Sequence, residues 1–270
     1  MEKFGRSQSV KRVEDLRFLT GHGRYVEDIA PEGALHAFFL RSYAAHADIS
    51  ELDVADARAL DGVALVLTAE DLETAGVRLS MKPSIIKNID GTKAADPARP
   101  LLAKGRVRHV GEAIAVVIAD TVETAKDAAE MIGLMLDDLD VHLDLATGGA
   151  EIHPEAPQNL SFTYGNGAEA ETKAAIKAAA HVVTVDVPDN RVIAASMEPR
   201  GCFAEITDGR LHVAVNGQGV WGPKSDLAYH LGMDKTDIRV TNPDTGGGFG
   251  MKAMMYPETI VVAHAARLLG

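Results

Sequence analysis

A chain of 270 residues, 46% of them hydrophobic, buries a substantial core and has room for two ordinary domains. A formal net charge of −12 repels a phosphate backbone, which is bound by clustered Lys and Arg, and so argues against a nucleic-acid partner. The longest apolar runs, such as Ala113 to Ala119 and Thr259 to Ala263, fall far short of the roughly 20 residues a membrane span needs, and Met1 to Arg6 carries no apolar signal core. The expectation is a cytoplasmic protein without a membrane partner.

Short strands and helices alternate through the first part. Ala34 to Arg41 reads as a strand, Val54 to Leu60 as a short helix and Gly62 to Leu67 as a buried strand. Thr68 is placed to cap a helical turn over Ala69 to Thr74. The stretch from Val77 to Pro100 has four punctuating Pro and Gly residues, Pro83, Gly91, Pro97 and Pro100, and little periodicity, so no regular element is expected there. Ala113 to Ile118 resumes as an apolar strand, and Asp120 with Glu123 reads as a capping-box variant opening a helix that runs to Glu130. These elements predict an α+β first domain over residues 1–145.

Gly, Pro and Asn then dominate from Thr147 to Gly167, where the domain boundary is expected. Residues 146–270 form the second domain. Glu169 to Ala180 is a helix of strong formers, and His181 to Val187, Cys202 to Ile206 and Leu211 to Val215 read as strands, with Gly209 in a turn between the last two. A helix from Gly222 to Leu231, a strand from Asp237 to Thr241, a glycine-rich loop and a helix opened by Pro257 at its first position follow. That last helix, Pro257 to Leu269, has no later element to cover its apolar face, so the fold is expected to continue on further chain or a partner, with the face left bare in this chain.

The cysteine count constrains the chemistry. Cys202 is alone, which excludes an internal disulfide, a zinc site of several thiolates and a four-thiolate iron–sulfur cluster within this chain. The histidines show no HExxH or paired spacing, so no metal ligand is assigned.

Asp244 to Lys252 contains four glycines in five residues, Gly246, Gly247, Gly248 and Gly250, around Phe249. Such a loop lets backbone N–H groups approach an anionic or oxo ligand, although a tight turn needing positive φ uses the same residues. It is neither a P-loop nor a dinucleotide fingerprint, since Gly-Lys-Ser/Thr is absent and Met251 takes the place of the last glycine. Phe249, enclosed by glycines, favours presentation to a pocket. Gln218, between Gly217 and Gly219 at a strand end, either donates to a ligand oxygen or faces water as a turn residue. Glu198 and Arg200 fall on one face of an extended segment, where a structural ion pair is the expected reading.

Taken in order, Arg12-Val13-Glu14-Asp15, Leu19-Thr20-Gly21-His22-Gly23-Arg24-Tyr25, Arg41-Ser42-Tyr43-Ala44-Ala45-His46, Leu67-Thr68-Ala69-Glu70-Asp71, Arg108-His109-Val110-Gly111-Glu112, Met197-Glu198-Pro199-Arg200-Gly201 and the two loops at Gln218 and Gly246 to Lys252 span nearly the whole chain. Together they resemble the molybdopterin-binding large subunit of the xanthine dehydrogenase, aldehyde oxidase and aerobic carbon monoxide dehydrogenase family, in its N-terminal part. The resemblance implies an α/β hammerhead domain followed by the first part of a molybdopterin-binding domain. It implies a molybdenum hydroxylase that oxidises an aldehyde, heterocycle or carbon monoxide-like substrate with oxygen from water. The implied cofactor is molybdenum-molybdopterin in its cytosine dinucleotide form, with iron–sulfur clusters and FAD on partner chains and a further chain completing the molybdopterin site.

By position, Gln218 and Phe249 are the implied catalytic residues, and Gln218, Gly247, Gly248, Phe249 and Gly250 the implied cofactor-binding set. The family's general-base glutamate falls outside this sequence. Ala253 stands where purine-oxidising members carry glutamate, which disfavours a purine, and Met251 stands where glycine is frequent. A non-catalytic assembly or scaffold protein retaining the fold is the competing expectation.

Overall fold

The computed structural model describes residues 9–83 and 86–270; the Met1 to Arg6 stretch read above for a signal core lies outside them. After a short helix α1 (Asp15–Leu19), the chain builds two three-stranded sheets before residue 140 and a third after residue 200.

The first sheet has β5 (Ala113–Ala119) at its centre, antiparallel to β1 (His36–Arg41) and to β3 (Val63–Leu67). All seven residues of β5 are buried, as its unbroken apolar run requires of a central strand covered on both faces. Ala115, Val117 and Ala119 face one way, onto Val54 and Ala57 around helix α2 (Ala55–Ala59) and onto Ala125, Ala128 and Ala129 of helix α4 (Val122–Glu130). Val116 and Ile118 face the other way, into a core shared with the third sheet. At roughly 25 cal/mol per Å² of apolar surface removed from water, this two-sided burial stabilises the first half.

Helix α3 (Ala69–Thr74) begins where Thr68 predicts: Thr68 Oγ1 accepts from the Asp71 N–H, and the Asp71 carboxylate accepts from the Thr68 N–H at 2.8 Å. Helix α4 starts one residue later than the Asp120 reading places it. Thr121 is the cap, accepting the Thr124 N–H at 3.0 Å, because its extended backbone turns its own hydroxyl toward the first helical turn.

The second sheet, β4 (Arg106–Val107), β2 (Ala47–Asp53) and β6 (Gly133–Asp138), is absent from the sequence reading. Its strands carry many acids and one face lies open to water. Arg106 answers the acid opposite it in register, holding Asp48 through Nε at 2.6 Å and Nη2 at 3.1 Å.

Residues 146–160 fold back on themselves around Asn159, whose amide donates to the carbonyls of Gly148 and Ala150. Helix α5 (Glu169–Ala178) is fully exposed, and residues 181–196 form no strand, contrary to the expectation for His181 to Val187. No described strand lies beside them, and a strand without a ladder partner does not form in water.

The third sheet orders β7 (Cys202–Thr207), β8 (Arg210–Val215) and β9 (Ile238–Thr241). β7 and β8 are a hairpin closed by Asp208-Gly209, both at positive φ, as a two-residue hairpin turn demands. β8 and β9 are parallel, joined through helix α6 (Trp221–Leu231). Helix α7 (Pro257–Leu269) starts at Pro257 as read, but its apolar face is not bare. Ile260, Val261, Ala263 and Ala265 are buried in the shared core with Val213 and Val215 of β8 and Leu227 and Leu231 of α6. Expecting an uncovered helix was wrong because the cover comes from earlier elements. Among the described residues no helix is long and apolar enough to cross a membrane.

Candidate functional site

Three connections converge after the third sheet's strand ends: residues 196–201 before β7, residues 216–220 after β8 and residues 242–256 after β9. Asn216, buried at the end of β8, accepts the Gly201 N–H at 2.9 Å and donates to the Pro199 carbonyl at 2.6 Å, so the first connection is tied to the second. Asn242 Nδ2 donates to the Gly217 carbonyl at 2.8 Å, tying the second to the third. The backbone of Gln218 also donates to the Lys252 carbonyl at 3.1 Å.

Gln218 and the glycine loop, read separately in the sequence, meet directly. Gln218 Oε1 accepts the Gly250 N–H at 2.9 Å. That bond fixes which end of the amide is which, and the Nε2 donors take no partner among the described residues. A Cβ on Gly248 would sit 2.8 Å from the Gln218 side chain, so glycine is needed there for close approach. Met251 donates its N–H to the Gly248 carbonyl at 2.9 Å, closing a reverse turn whose central residues, Phe249 and Gly250, both have positive φ. For Phe249, at φ 52°, this conformation costs about 1–2 kcal/mol. The ring is 75% exposed, so no core packing repays that strain. Met251 is not among the positive-φ residues; the loop accepts a side chain there without strain.

Glu198 pairs with Lys252, not with Arg200: Lys252 Nζ lies 3.0 Å from Glu198 Oε2, and the lysine side chain is 1% exposed. Arg200 instead lies over the Tyr256 ring, 3.6 Å from its centroid. Spacing along an extended segment put Glu198 and Arg200 on one face, but a tight loop 54 positions onward outbids a neighbour two residues away. Burial raises the Glu198 pKa, and the Gly246 N–H, the Asn216 amide and Lys252 together overcome it, holding the carboxyl below its ordinary value. The loop's start is anchored as well. The buried Asp244 carboxylate accepts the Arg24 N–H at 2.8 Å and pairs with Arg17.

None of these long-range partners is legible locally; the one usable signal was Glu198 itself, an acid set in a run of apolar residues. Cys202 takes no part. Burial pushes its thiol up to about 11 against the pull of Thr259, which leaves it protonated and unreactive at neutral pH.

The residues present fit an oxygen-rich ligand. The N–H groups of Gly247, Gly248 and Phe249 donate to no group among the described residues, and with the Gln218 amide they form a set of unspent donors on one loop. Among the described residues no group of three or more acids, histidines or cysteines gathers where it could hold a metal.

Residues 20–140 match the family described as the aldehyde oxidase and xanthine dehydrogenase a/b hammerhead domain, and residues 152–270 match the molybdopterin cofactor-binding domain. The nicotine 6-hydroxylase large subunit of Paenarthrobacter nicotinovorans is 40% identical over 96% of this chain and 32% of its own length. The carbon monoxide dehydrogenase large chain of Hydrogenophaga pseudoflava is 32% identical over 95% of this chain and 33% of its own. Among solved structures, quinoline 2-oxidoreductase from Pseudomonas putida 86 aligns with a TM-score of 0.80 at 33% identity, over 97% of this chain and 33% of that one. Carbon monoxide dehydrogenase from Oligotropha carboxidovorans aligns with a TM-score of 0.83 at 28% identity, over 98% and 34%. The chain thus spans about a third of the length of these relatives. It carries a hammerhead region and a molybdopterin cofactor-binding region of the aldehyde oxidase and xanthine dehydrogenase family, in this order and on this fold.

Proposed function

We propose that this chain supplies one wall of the catalytic site of a molybdenum hydroxylase, with its hammerhead region in residues 1–145 and its molybdopterin-binding region in residues 146–270. The observation that carries this is the bond from Gly250 to Gln218, which holds the amide's oxygen on the glycine loop and leaves its Nε2 donors without a partner among the described residues. Preorganised donors are worth most where charge develops, because they need no rearrangement as it appears. When bound, the molybdenum-molybdopterin group, in its cytosine dinucleotide form, supplies the two-electron oxidation that places water-derived oxygen on the substrate.

In this reading Gln218 and Phe249 act at the reacting centre. Gln218 would help hold the cofactor through its Nε2 donors, and Phe249 would stand exposed beside it as an apolar wall. Gly247 and Gly248 bring backbone donors close to the cofactor, and Gly250, its N–H spent on Gln218, holds that amide beside them. The substrate is an aldehyde, a heterocycle or a carbon monoxide-like molecule, and 40% identity to a nicotine hydroxylase subunit favours a heterocycle. Iron–sulfur and FAD chains carry the electrons away, and further polypeptide completes the cofactor site and brings the general-base glutamate.

Gln218→Ala in the cofactor-loaded complex tests the assignment. Turnover per molybdenum should fall roughly ten- to a thousandfold while molybdenum content stays near normal, the pattern of one lost donor in a site of developing charge. Unchanged turnover at full occupancy overturns it, since a solvent-facing turn glutamine predicts that result.

A further inference from the structure

The Glu198–Lys252 pair is the most deeply buried ion pair among those described, and it belongs to no regular element. Burying a lysine is expensive, and an apolar pair of similar volume often does as well for stability, so the pair calls for a role beyond packing. Its connections supply one. Glu198 grips Gly246 twice: its N–H donates to the Gly246 carbonyl at 3.2 Å, and its Oε2 accepts the Gly246 N–H at 2.8 Å. The same Oε2 accepts from Lys252 Nζ at 3.0 Å, so one carboxylate oxygen holds both ends of the loop, six residues apart. A Cβ on Gly246 would lie 2.5 Å from the Glu198 Cβ, which shows how tightly the two segments are pressed together. The Lys252 carbonyl then takes the Gln218 N–H, and Gly250 between the two ends binds Gln218 Oε1.

We infer that Glu198 and Lys252 are positioning residues for the glycine loop, their ion pair pinning residues 246 and 252 so that Gly250 holds the Gln218 amide in one orientation. Neither residue needs to touch a ligand for this. The inference rests on the function proposed above only for what the loop receives; the pinning is a property of the chain alone. It accounts for a strained Phe249 that stays strained, because a turn fixed at both ends has no cheap way to relax.

Amide hydrogen exchange on the 270-residue chain tests the pinning without cofactor. Glu198→Gln and Lys252→Met should each speed exchange at Gly246 and Gly250 by about tenfold or more beyond any change at Val116 in β5 and Val213 in β8, which follow global stability alone. In the double variant the stranded buried charge is gone, so the urea midpoint should move back toward wild type while Gly250 stays fast, because the link across the loop is still missing. Should Glu198→Gln fail to fold, Glu198→Asp keeps the charge, shortens the reach by one methylene and carries the same expectation for Gly250. Unaltered Gly246 and Gly250 exchange in the single variants overturns the proposal. So does a double variant that regains Gly250 protection together with its midpoint, which would make the pair structural only. A loop that loosens as expected, alongside a Gln218→Ala complex of unchanged turnover, supports the pinning and removes only the function assigned to Gln218.

Discussion

β5 and residues 181–187 use the same strand-forming alphabet, yet every residue of β5 is buried while Val182, Val183, Val185 and Val187 are 59%, 84%, 72% and 74% exposed. The difference is not in propensity. β5 has β1 on one side and β3 on the other, with helices and the third sheet covering its faces, whereas residues 181–187 have no described strand beside them. Strand propensity measured in proteins is mostly the fit of a side chain against cross-strand and facing neighbours, and it counts for little where those are missing.

The largest test of this contrast lies in the buried strand. Ile114 is fully buried, packed with Ala44, Ala47, Ala103 and Val107 between the first two sheets, so Ile114→Ala should cost about 2–5 kcal/mol of unfolding free energy in urea titration. A loss under about 1 kcal/mol would mean that the two sheets do not share a packed interior. Next comes the capping box before α3. Thr68→Ala removes one half of the reciprocal pair with Asp71 and should cost about 1 kcal/mol. Thr121→Ala should cost a similar amount, and an equal effect from Asp120→Ala would restore the earlier placement of that cap.

Those elements also show what the sequence discloses. β3, α3, β5, α6 and α7 were readable because each carries its own cause: an apolar run, a cap, a first-turn proline. β2 and β6 were not. Ala47–Asp53 carries three acids and Gly133–Asp138 ends on two, and the pairing that makes them strands depends on each other and on Arg106. The site divides in the same way. Glycine-dense composition exposed the loop, but the Gln218–Gly250 and Glu198–Lys252 contacts join residues 32 and 54 positions apart, and only the fold brings them together.

Acid offers a test that spans the shared core. His264 on α7 is 3% exposed and neither ring nitrogen has a partner among the described residues. Burial, with help from nearby Arg267, holds its pKa below the ordinary value. A depressed histidine favours the fold in its neutral form, so its contribution is intact above about pH 6.5 and drains away as pH falls through the folded value. His153 and His230 are lowered in the same direction, chiefly by burial, and add to the slope. The urea midpoint should therefore drop between pH 7.5 and pH 5.5, and by less in His264→Leu. An identical drop in wild type and variant would show that the ring charges without penalty.

Phe249→Gly should run the other way. Removing an aromatic side chain from a left-handed turn relieves strain of about 1 kcal/mol, so the chain should be as stable as wild type or slightly more so, while the loaded complex loses turnover. A destabilised variant would show that the ring packs somewhere and is not displayed.

The smallest effect belongs to the exposed segment, and a null result there is informative. Val185 is 72% exposed and belongs to no strand, so Val185→Ser gives up almost no burial and should shift the unfolding free energy by less than about 0.5 kcal/mol. Paired with Ile114→Ala in the same assay, it compares two β-branched residues from two strand-like sequences that differ in their neighbours. If propensity governed, both changes would cost; if burial and ladder pairing govern, only the first does. A loss above about 1 kcal/mol at Val185 would mean that the segment packs in solution, and the contrast with β5 would then collapse.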